Sequence, residues 1–115
     1  MATKLYHNPK CSKSRATLEL LREKGIEPEI IKYLDTPPSL DELRAIHALL
    51  AGDVRDMVRT QEPLYKKKAL DDSGLVADTL LQAINQYPKL MQRPIVIHDG
   101  KAAIGRPPEN ILEIL

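Results

Sequence analysis

The first third of the chain shows a strand pattern, then a helical pattern, then a second strand pattern. Thr3–Tyr6 predicts a short strand that ends at a turn signal. Over Ser12–Lys24 apolar residues recur at helical spacing, and Gly25 is a typical helix stop. Glu29–Tyr33 predicts the second strand. This order forms a βαβ unit, in which the two strands pair in parallel.

Helical patterns fill the middle of the chain, where we find no strand signal. Ser39–Glu42 has the form of a capping box, which starts a first helix. A second helix is expected after Asp53, with Arg59 late in it, and a third over Ala77–Gln86. These patterns predict a helical insertion over about residues 39–91.

Strand signals return near the end of the chain. Pro94–Ile97 and Lys101–Ile104 predict two strands, and the Asp99-Gly100 pair between them is a two-residue hairpin signal. Two prolines then precede the sequence ENILEIL, which predicts a closing helix. The order predicts an α/β, thioredoxin-like fold in a single domain of residues 1–115. Its mixed sheet has about four strands (β-α-β … β-β-α), with the helical insertion between strands 2 and 3.

Composition places the chain among ordinary globular proteins, with 43% hydrophobic and 29% charged residues. Lysine and arginine number 17 against 16 acidic residues, so no overall field recruits nucleic acid or anionic lipid. Four tyrosines are the only aromatic residues, which argues against a base-stacking surface. No membrane-spanning stretch or signal peptide pattern is present. We therefore expect a soluble cytoplasmic protein, monomeric by default, with no nucleic acid or membrane partner.

The one cysteine, Cys11, lies immediately before the first predicted helix. A free thiol has a pKa of about 8.5 and reacts as the thiolate. The unpaired N–H groups at a helix N-terminus stabilise an anion there, and His7 and Lys10 lie nearby in sequence. Lone cysteines are often small buried hydrophobes, but the polar neighbours here indicate a solvated loop. We therefore interpret Cys11 as a reactive thiol.

The spacing around Cys11 excludes several known types of site. The stretch from Cys11 to Ser14 is C-x-x-S, so this site cannot close a dithiol cycle by itself. Arg15 makes the pattern C-x3-R, whereas cysteine phosphatases have C-x5-R. The three histidines show no metal-ligand spacing with the cysteine, and no metal site is expected. Such a thiol needs its reducing equivalent from outside the chain.

Three arginines stand at the boundaries of predicted elements: Arg59, Arg93 and Arg106. The forked donors of arginine suit tetrahedral oxyanions. Ligands of open sheets gather where strand ends meet loops and helix starts, and Arg93 lies there if the first and third strands are neighbours. The alternative to oxyanion binding, for each of these arginines, is a solvated charge on the protein surface. The residues by themselves indicate only a thiolate with an oxyanion as its candidate partner, and they do not identify the oxyanion.

Matches to a known family are spread along nearly the whole chain. They are Tyr6-His7-Asn8-Pro9, Cys11, Ser14-Arg15, Thr17-Leu18-Glu19, Glu27-Pro28, Tyr33-Leu34, Thr36-Pro37-Pro38, Asp41-Glu42-Leu43, Val54-Arg55, Arg59, Glu62-Pro63, Arg93-Pro94-Ile95-Val96 and Arg106-Pro107. In these positions the sequence resembles the glutaredoxin-linked arsenate reductase family. Lys10, Ser12 and Lys13 around the cysteine, and an end soon after the final helix, resemble a shorter housekeeping subgroup of it.

The resemblance implies reduction of arsenate to arsenite. Cys11 would attack arsenate to form a covalent sulfur–arsenic adduct, whose oxygens Arg59, Arg93 and Arg106 would bind. Glutathione would then act as co-substrate, and glutaredoxin would reduce the resulting Cys11–glutathione disulfide. No bound cofactor is expected.

Three further residues receive roles through the resemblance alone. Pro94 would follow a cis peptide bond, His7 would favour the thiolate, and Ser14 would hydrogen-bond the sulfur. His7 and Ser14 have a simpler alternative, in which they only shape the turn. Two other functions also stay open: a glutathione-dependent thiol-transfer protein, and a non-catalytic regulator of the same superfamily that binds RNA polymerase.

Overall fold

The computed structural model describes residues 2–115. The chain forms two compact units, one made of residues 2–36 with 93–115 and the other of Pro37–Gln92. The second unit covers nearly the range of the predicted helical insertion. The single domain over 1–115 stays a prediction.

The first unit is a four-stranded mixed sheet with helices, and the predicted α/β fold with its β-α-β and β-β-α parts is confirmed. The strand order is β2-β1-β3-β4, in which β1 and β2 are parallel and the other pairs are antiparallel. The elements are β1 (Thr3–His7), α1 (Ser12–Glu23), β2 (Glu29–Lys32), β3 (Ile95–His98), β4 (Lys101–Ile104) and a closing 3₁₀ helix (Pro108–Ile114).

One hydrophobic cluster joins α1 and the closing 3₁₀ helix to the sheet. Leu5 of β1, Leu21 of α1, Val96 of β3 and Ile111 are all fully buried in it. Burial of each such side chain contributes roughly 1.5–3 kcal/mol before the entropy of ordering is subtracted. The cluster therefore fixes α1 against the central strands, and with it the loop that joins β1 to α1.

Strand register brings three chain segments to one edge of the sheet. Tyr6, near the end of β1, pairs with Ile95 at the start of β3, and Ile95 also pairs with Ile104 at the end of β4. The loop after β1, the residues before β3 and the residues after β4 consequently meet at this edge. The hairpin at the opposite edge has positive φ at both Asp99 and Gly100, which explains the Asp-Gly signal.

The second unit contains the helices expected from its pattern, with two corrections. Helices α2 (Leu40–Leu50) and α4 (Ala77–Gln86) are confirmed, and the Ser39–Glu42 capping box is complete. The helix expected after Asp53 is a single 3₁₀ turn, Val54–Met57. Sequence analysis also missed two short helices, α3 (Pro63–Lys67) and a 3₁₀ helix (Pro88–Leu90).

The prediction that Arg59 lies late in a helix is wrong. Val58 is extended and forms a β-bridge with Met91, and the Arg59 N–H donates to the Leu90 carbonyl at 2.7 Å. These bonds to a distant segment compete with helical hydrogen bonds and end the turn. The closing segment also differs, since it is a 3₁₀ helix and sequence periodicity does not separate that type from an α-helix.

Candidate active site

Hydrogen bonds within the β1–α1 loop place Cys11 at the N-cap of α1. The Cys11 N–H donates to the Asn8 carbonyl at 3.0 Å, and the Lys10 N–H donates to Asn8 Oδ1 at 3.0 Å. Arg15 reaches back from the first turn of α1 and donates to the Pro9 carbonyl at 2.9 Å. These bonds hold Cys11 in an extended conformation at the helix end.

Opposing influences act on the pKa of the Cys11 thiol. Burial of the sulfur is the largest and raises the pKa, because it disfavours the thiolate. Hydrogen bonding by the backbone N–H groups of Ser14 and Lys13 lowers it, as do the charge of Arg93 and a hydrogen bond from that side chain. The lowering influences prevail, so the pKa of Cys11 lies below its ordinary value.

The backbone N–H groups at the start of α1 act on the thiolate form of Cys11. The uncharged thiol makes no capping hydrogen bond among the residues that the structure describes. A thiolate is a much stronger acceptor than a thiol, and Lys13 and Ser14 occupy the N2 and N3 positions that face an N-cap side chain. The helix end therefore favours loss of the thiol proton.

Two arginines lie beside the sulfur, one from each side of the β3–β4 hairpin. Arg106 Nη1 is 4.0 Å from Cys11 Sγ and also donates to the Arg93 carbonyl at 3.3 Å. Arg93 directly precedes a cis peptide bond to Pro94, and Arg106 directly precedes a cis bond to Pro107. Only the cis bond before Pro94 was predicted from the sequence. Two guanidinium groups and a thiolate can together surround a small oxyanion.

His7 and Ser14 form a buried pair under the loop. His7 Nδ1 lies 2.6 Å from Ser14 Oγ, and the Asn8 N–H donates to the same oxygen at 3.0 Å. The Ser14 hydroxyl is thus engaged with the loop, whereas the backbone N–H of Ser14 acts on the sulfur. The turn-shaping role is the one that this geometry supports for both side chains, and their effect on the thiol stays a prediction.

His7 is held in its neutral form. Burial is the main cause that lowers the pKa of this imidazole, and the charges of Lys32, Arg22 and Arg15 lower it further. A neutral imidazole contributes no positive charge to stabilise the Cys11 thiolate. Any effect of His7 on the Cys11 thiol must therefore act through its hydrogen bond with Ser14.

Gly105 is a site residue that sequence reasoning missed. A Cβ at this position would lie 2.5 Å from Thr17 Oγ1 and 2.8 Å from Pro94 Cγ, so only glycine fits without a shift. The Gly105 N–H donates to the Pro94 carbonyl at 2.9 Å. The residue lets the segment that carries Arg106 pass close to α1. Its position directly before an Arg-Pro pair is the only sequence signal of this role.

Arg59 belongs to the second unit, and other residues of that unit bind its side chain. Its Nη1 donates to the Lys89 carbonyl at 3.3 Å and lies 3.6 Å from a Glu62 carboxylate oxygen. Glu62 also lies 3.8 Å from Lys89 Nζ. The carboxylate therefore holds two cations of this unit in place. The assignment of Arg59 as an oxyanion ligand stays a prediction.

Residues 2–115 include no group of three or more His, Cys, Asp or Glu side chains placed to hold a metal ion. No helix within the same residues has the length and apolar character needed to cross a membrane.

Residues 6–114 match the ArsC family. An arsenate reductase of Neisseria meningitidis (strain Z2491) is 53% identical over 113 residues, which are 97% of this chain and 97% of that protein. The uncharacterized protein YfgD of Escherichia coli (strain K12) is 52% identical over 97% of this chain and 95% of its own length. Among solved structures, an arsenate reductase from Vibrio cholerae superposes with a TM-score of 0.96 at 52% identity, covering 100% of this chain and 98% of that one.

Proposed function

Because the chain belongs to the ArsC family, we propose that it reduces arsenate to arsenite with Cys11 as nucleophile. The observation that carries the proposal is a thiol of lowered pKa with two arginines, Arg93 and Arg106, at its sulfur. A thiolate supplies the nucleophile, and the guanidinium groups supply charge for the oxygens of a tetrahedral anion. Similar relatives that carry the name arsenate reductase support the choice of arsenate.

In the first step the Cys11 thiolate attacks arsenic. A sulfur–arsenic bond forms, one arsenic–oxygen bond breaks, and the departing oxygen takes up protons and leaves as water. Arsenic remains As(V) in this adduct. Arg93 and Arg106 stabilise the negative oxygens as they rearrange around arsenic, which is the main electrostatic contribution expected of this site. Arg59 is proposed as a third oxyanion ligand.

In the second step an external thiol, proposed to be glutathione, bonds to arsenic and displaces a second oxygen as water. The two sulfurs then join in a disulfide, and their two electrons reduce As(V) to As(III), which leaves as arsenite. Glutaredoxin reduces the Cys11–glutathione disulfide and restores the thiol. A reducing compartment is needed for this cycle, so a cytoplasmic location is part of the proposal.

Glutathione-dependent thiol transfer is the second candidate function. The C-x-x-S site with a lowered thiol pKa supports it, since a thiolate at Cys11 attacks mixed disulfides as well as oxyanions. Deglutathionylation of a model disulfide without arsenate is its test. No specific feature of the described residues favours the non-catalytic regulator.

Arsenite formation by the purified protein with arsenate, glutathione and glutaredoxin tests the leading proposal. We expect turnover by the unaltered chain, none by Cys11→Ser, and a loss of at least tenfold in kcat/KM for arsenate in Arg106→Ala. Arg44→Ala, which removes a surface arginine paired with Asp41 and Asp78, should match the unaltered chain. Equal turnover by the chain and by Cys11→Ser would contradict the proposal.

A further inference from the structure

A pocket of about 240 Å³ lies beside the loop that carries Cys11. We call it the loop pocket. Four of its lining residues are consecutive along the chain and end next to the nucleophile, and the other three follow from the end of β2. The lining residues are His7, Asn8, Pro9, Lys10, Lys32, Leu34 and Asp35.

Charged groups of both signs line the loop pocket. Lys10, Lys32 and Asp35 are all exposed, and in the part of the chain that the structure describes none of them forms an ion pair within 4.0 Å. Leu34, which is 45% exposed, adds an apolar surface to the same pocket. Two cations, one anion and an exposed leucine around one concavity suit a ligand with two carboxylates, one ammonium group and an aliphatic part.

We propose that the loop pocket binds the peptide thiol that reduces the Cys11 adduct, a small peptide with two carboxylates and one ammonium group such as glutathione. This inference rests on the proposed function, since it places the co-substrate of the second step. Lys10 and Lys32 bind the two carboxylates, Asp35 binds the ammonium group, and Leu34 contacts the peptide's aliphatic atoms.

The reach of such a peptide matches the position of the loop pocket. Lys10 and Cys11 are consecutive, so their Cα atoms are about 3.8 Å apart. A terminal carboxylate of a tripeptide lies within about 7 Å of its central residue, since each extended residue spans ~3.3–3.6 Å. A tripeptide bound by Lys10 is therefore long enough to span the distance from Lys10 to the neighbouring Cys11.

The charges of the loop pocket do not suit arsenate as the occupant. Asp35 weakens the attraction of the two lysines for a small anion, whereas Arg93 and Arg106 offer forked donors directly at the sulfur. A small neutral thiol, by contrast, would use none of the three charged groups. The loop pocket therefore favours the binding of a charged peptide thiol over the binding of neutral thiols.

Binding of S-methylglutathione, which carries the same charges but cannot reduce, tests the site without the reaction. Titration calorimetry and amide chemical shifts of the full chain should show binding with shifts at His7, Asn8, Lys10 and residues 32–35. We expect Lys32→Glu and Lys10→Glu to weaken binding at least tenfold, and Asp35→Asn to weaken it several-fold. Lys101→Glu, which changes an exposed lysine at the start of β4, should bind as the unaltered chain does.

Arsenate reduction with two reductants then separates this inference from the proposed function. Lys32→Glu should raise KM for glutathione at least tenfold and should change the rate with 2-mercaptoethanol much less. Equal KM values for glutathione in Lys32→Glu, Lys10→Glu and Lys101→Glu would overturn the proposal that the loop pocket binds glutathione. The arsenate reductase proposal would still stand. Binding of S-methylglutathione at residues 7–10 and 32–35 without arsenite formation would support the pocket and refute that proposal.

Discussion

At the scale of residues, the charge state of the Cys11 thiol depends on groups that come from different parts of the chain. The N–H groups of Lys13 and Ser14 come with the helix end, whereas the charge of Arg93 arrives from the other end of the chain. Each unit of pKa corresponds to about 1.4 kcal/mol of preference for the thiolate. A single arginine close to the sulfur is thus enough to change the fraction of reactive thiolate at neutral pH.

Arg93→Ala should raise the pKa of Cys11, because it removes both a charge and a hydrogen bond that favour the thiolate. The rate of iodoacetamide alkylation against pH measures this, and its midpoint in the unaltered chain should lie below that of an ordinary thiol. Arg106→Ala should shift the midpoint less, since Arg106 Nη1 lies 4.0 Å from the sulfur and Arg106 is not among the groups that lower this pKa. Identical midpoints in the unaltered chain and in Arg93→Ala would contradict this account.

At the scale of elements, the site depends on how closely the end of β4 approaches α1. Gly105 is buried between Thr17 of α1 and the cis-bonded Pro94 before β3. Close packing of this kind tolerates no added methyl group without movement of a neighbour. The contact thus couples the position of two arginine-bearing segments to the helix that holds the nucleophile.

Gly105→Ala should destabilise the chain by about 1–3 kcal/mol and raise the pKa of Cys11, because the new Cβ displaces segments beside Arg93 and Arg106. Urea denaturation and the alkylation midpoint measure the two effects. Adding Thr17→Ala removes one of the two closest atoms and should recover part of the lost stability. If Gly105→Ala leaves both the denaturation midpoint and the alkylation midpoint unchanged, the close contact has no importance for the site.

At the scale of the whole molecule, the neutral His7 links stability to pH. Its pKa in the folded chain lies below the ordinary value of 6.5, mainly through burial. The unfolded chain therefore binds more protons between the two pKa values, and the free energy of unfolding falls as pH decreases through this range. The thiolate of Cys11 acts in the same direction at higher pH, since its contribution is complete above the unfolded pKa and is lost as pH falls through the folded pKa.

Stability should decline between pH 7 and pH 5, and His7→Asn should make this decline shallower. Asparagine keeps a polar atom near the position of Nδ1 and the bond to Ser14, but it does not titrate in this range. Urea unfolding at several pH values provides the comparison, with the slope rather than the absolute stability as the readout. Parallel curves for the two chains would show that His7 does not contribute to the decline.

Several elements were predictable because their signals are local. The four strands, to within one residue at each end, the Ser39–Glu42 capping box, α4 and the Asp99-Gly100 hairpin depend on residues a few positions apart. The structure of residues 54–59 was not predictable from local signals. The helical turn there ends because Val58 forms a β-bridge with Met91, a residue far along the chain. Local periodicity carries no information about such a partner.

The sequence by itself determined that a lone thiol stands at a strand-to-helix turn, and its motifs pointed to the family. Tertiary structure decided which groups act on that thiol: Arg106 lies beside Cys11 although 95 positions separate them, and Gly105 makes room for that approach. It also decided that His7 is neutral and bonded to Ser14. Helix and turn signals arise between neighbours in the chain, whereas burial and the distance between charges exist only once the chain is packed.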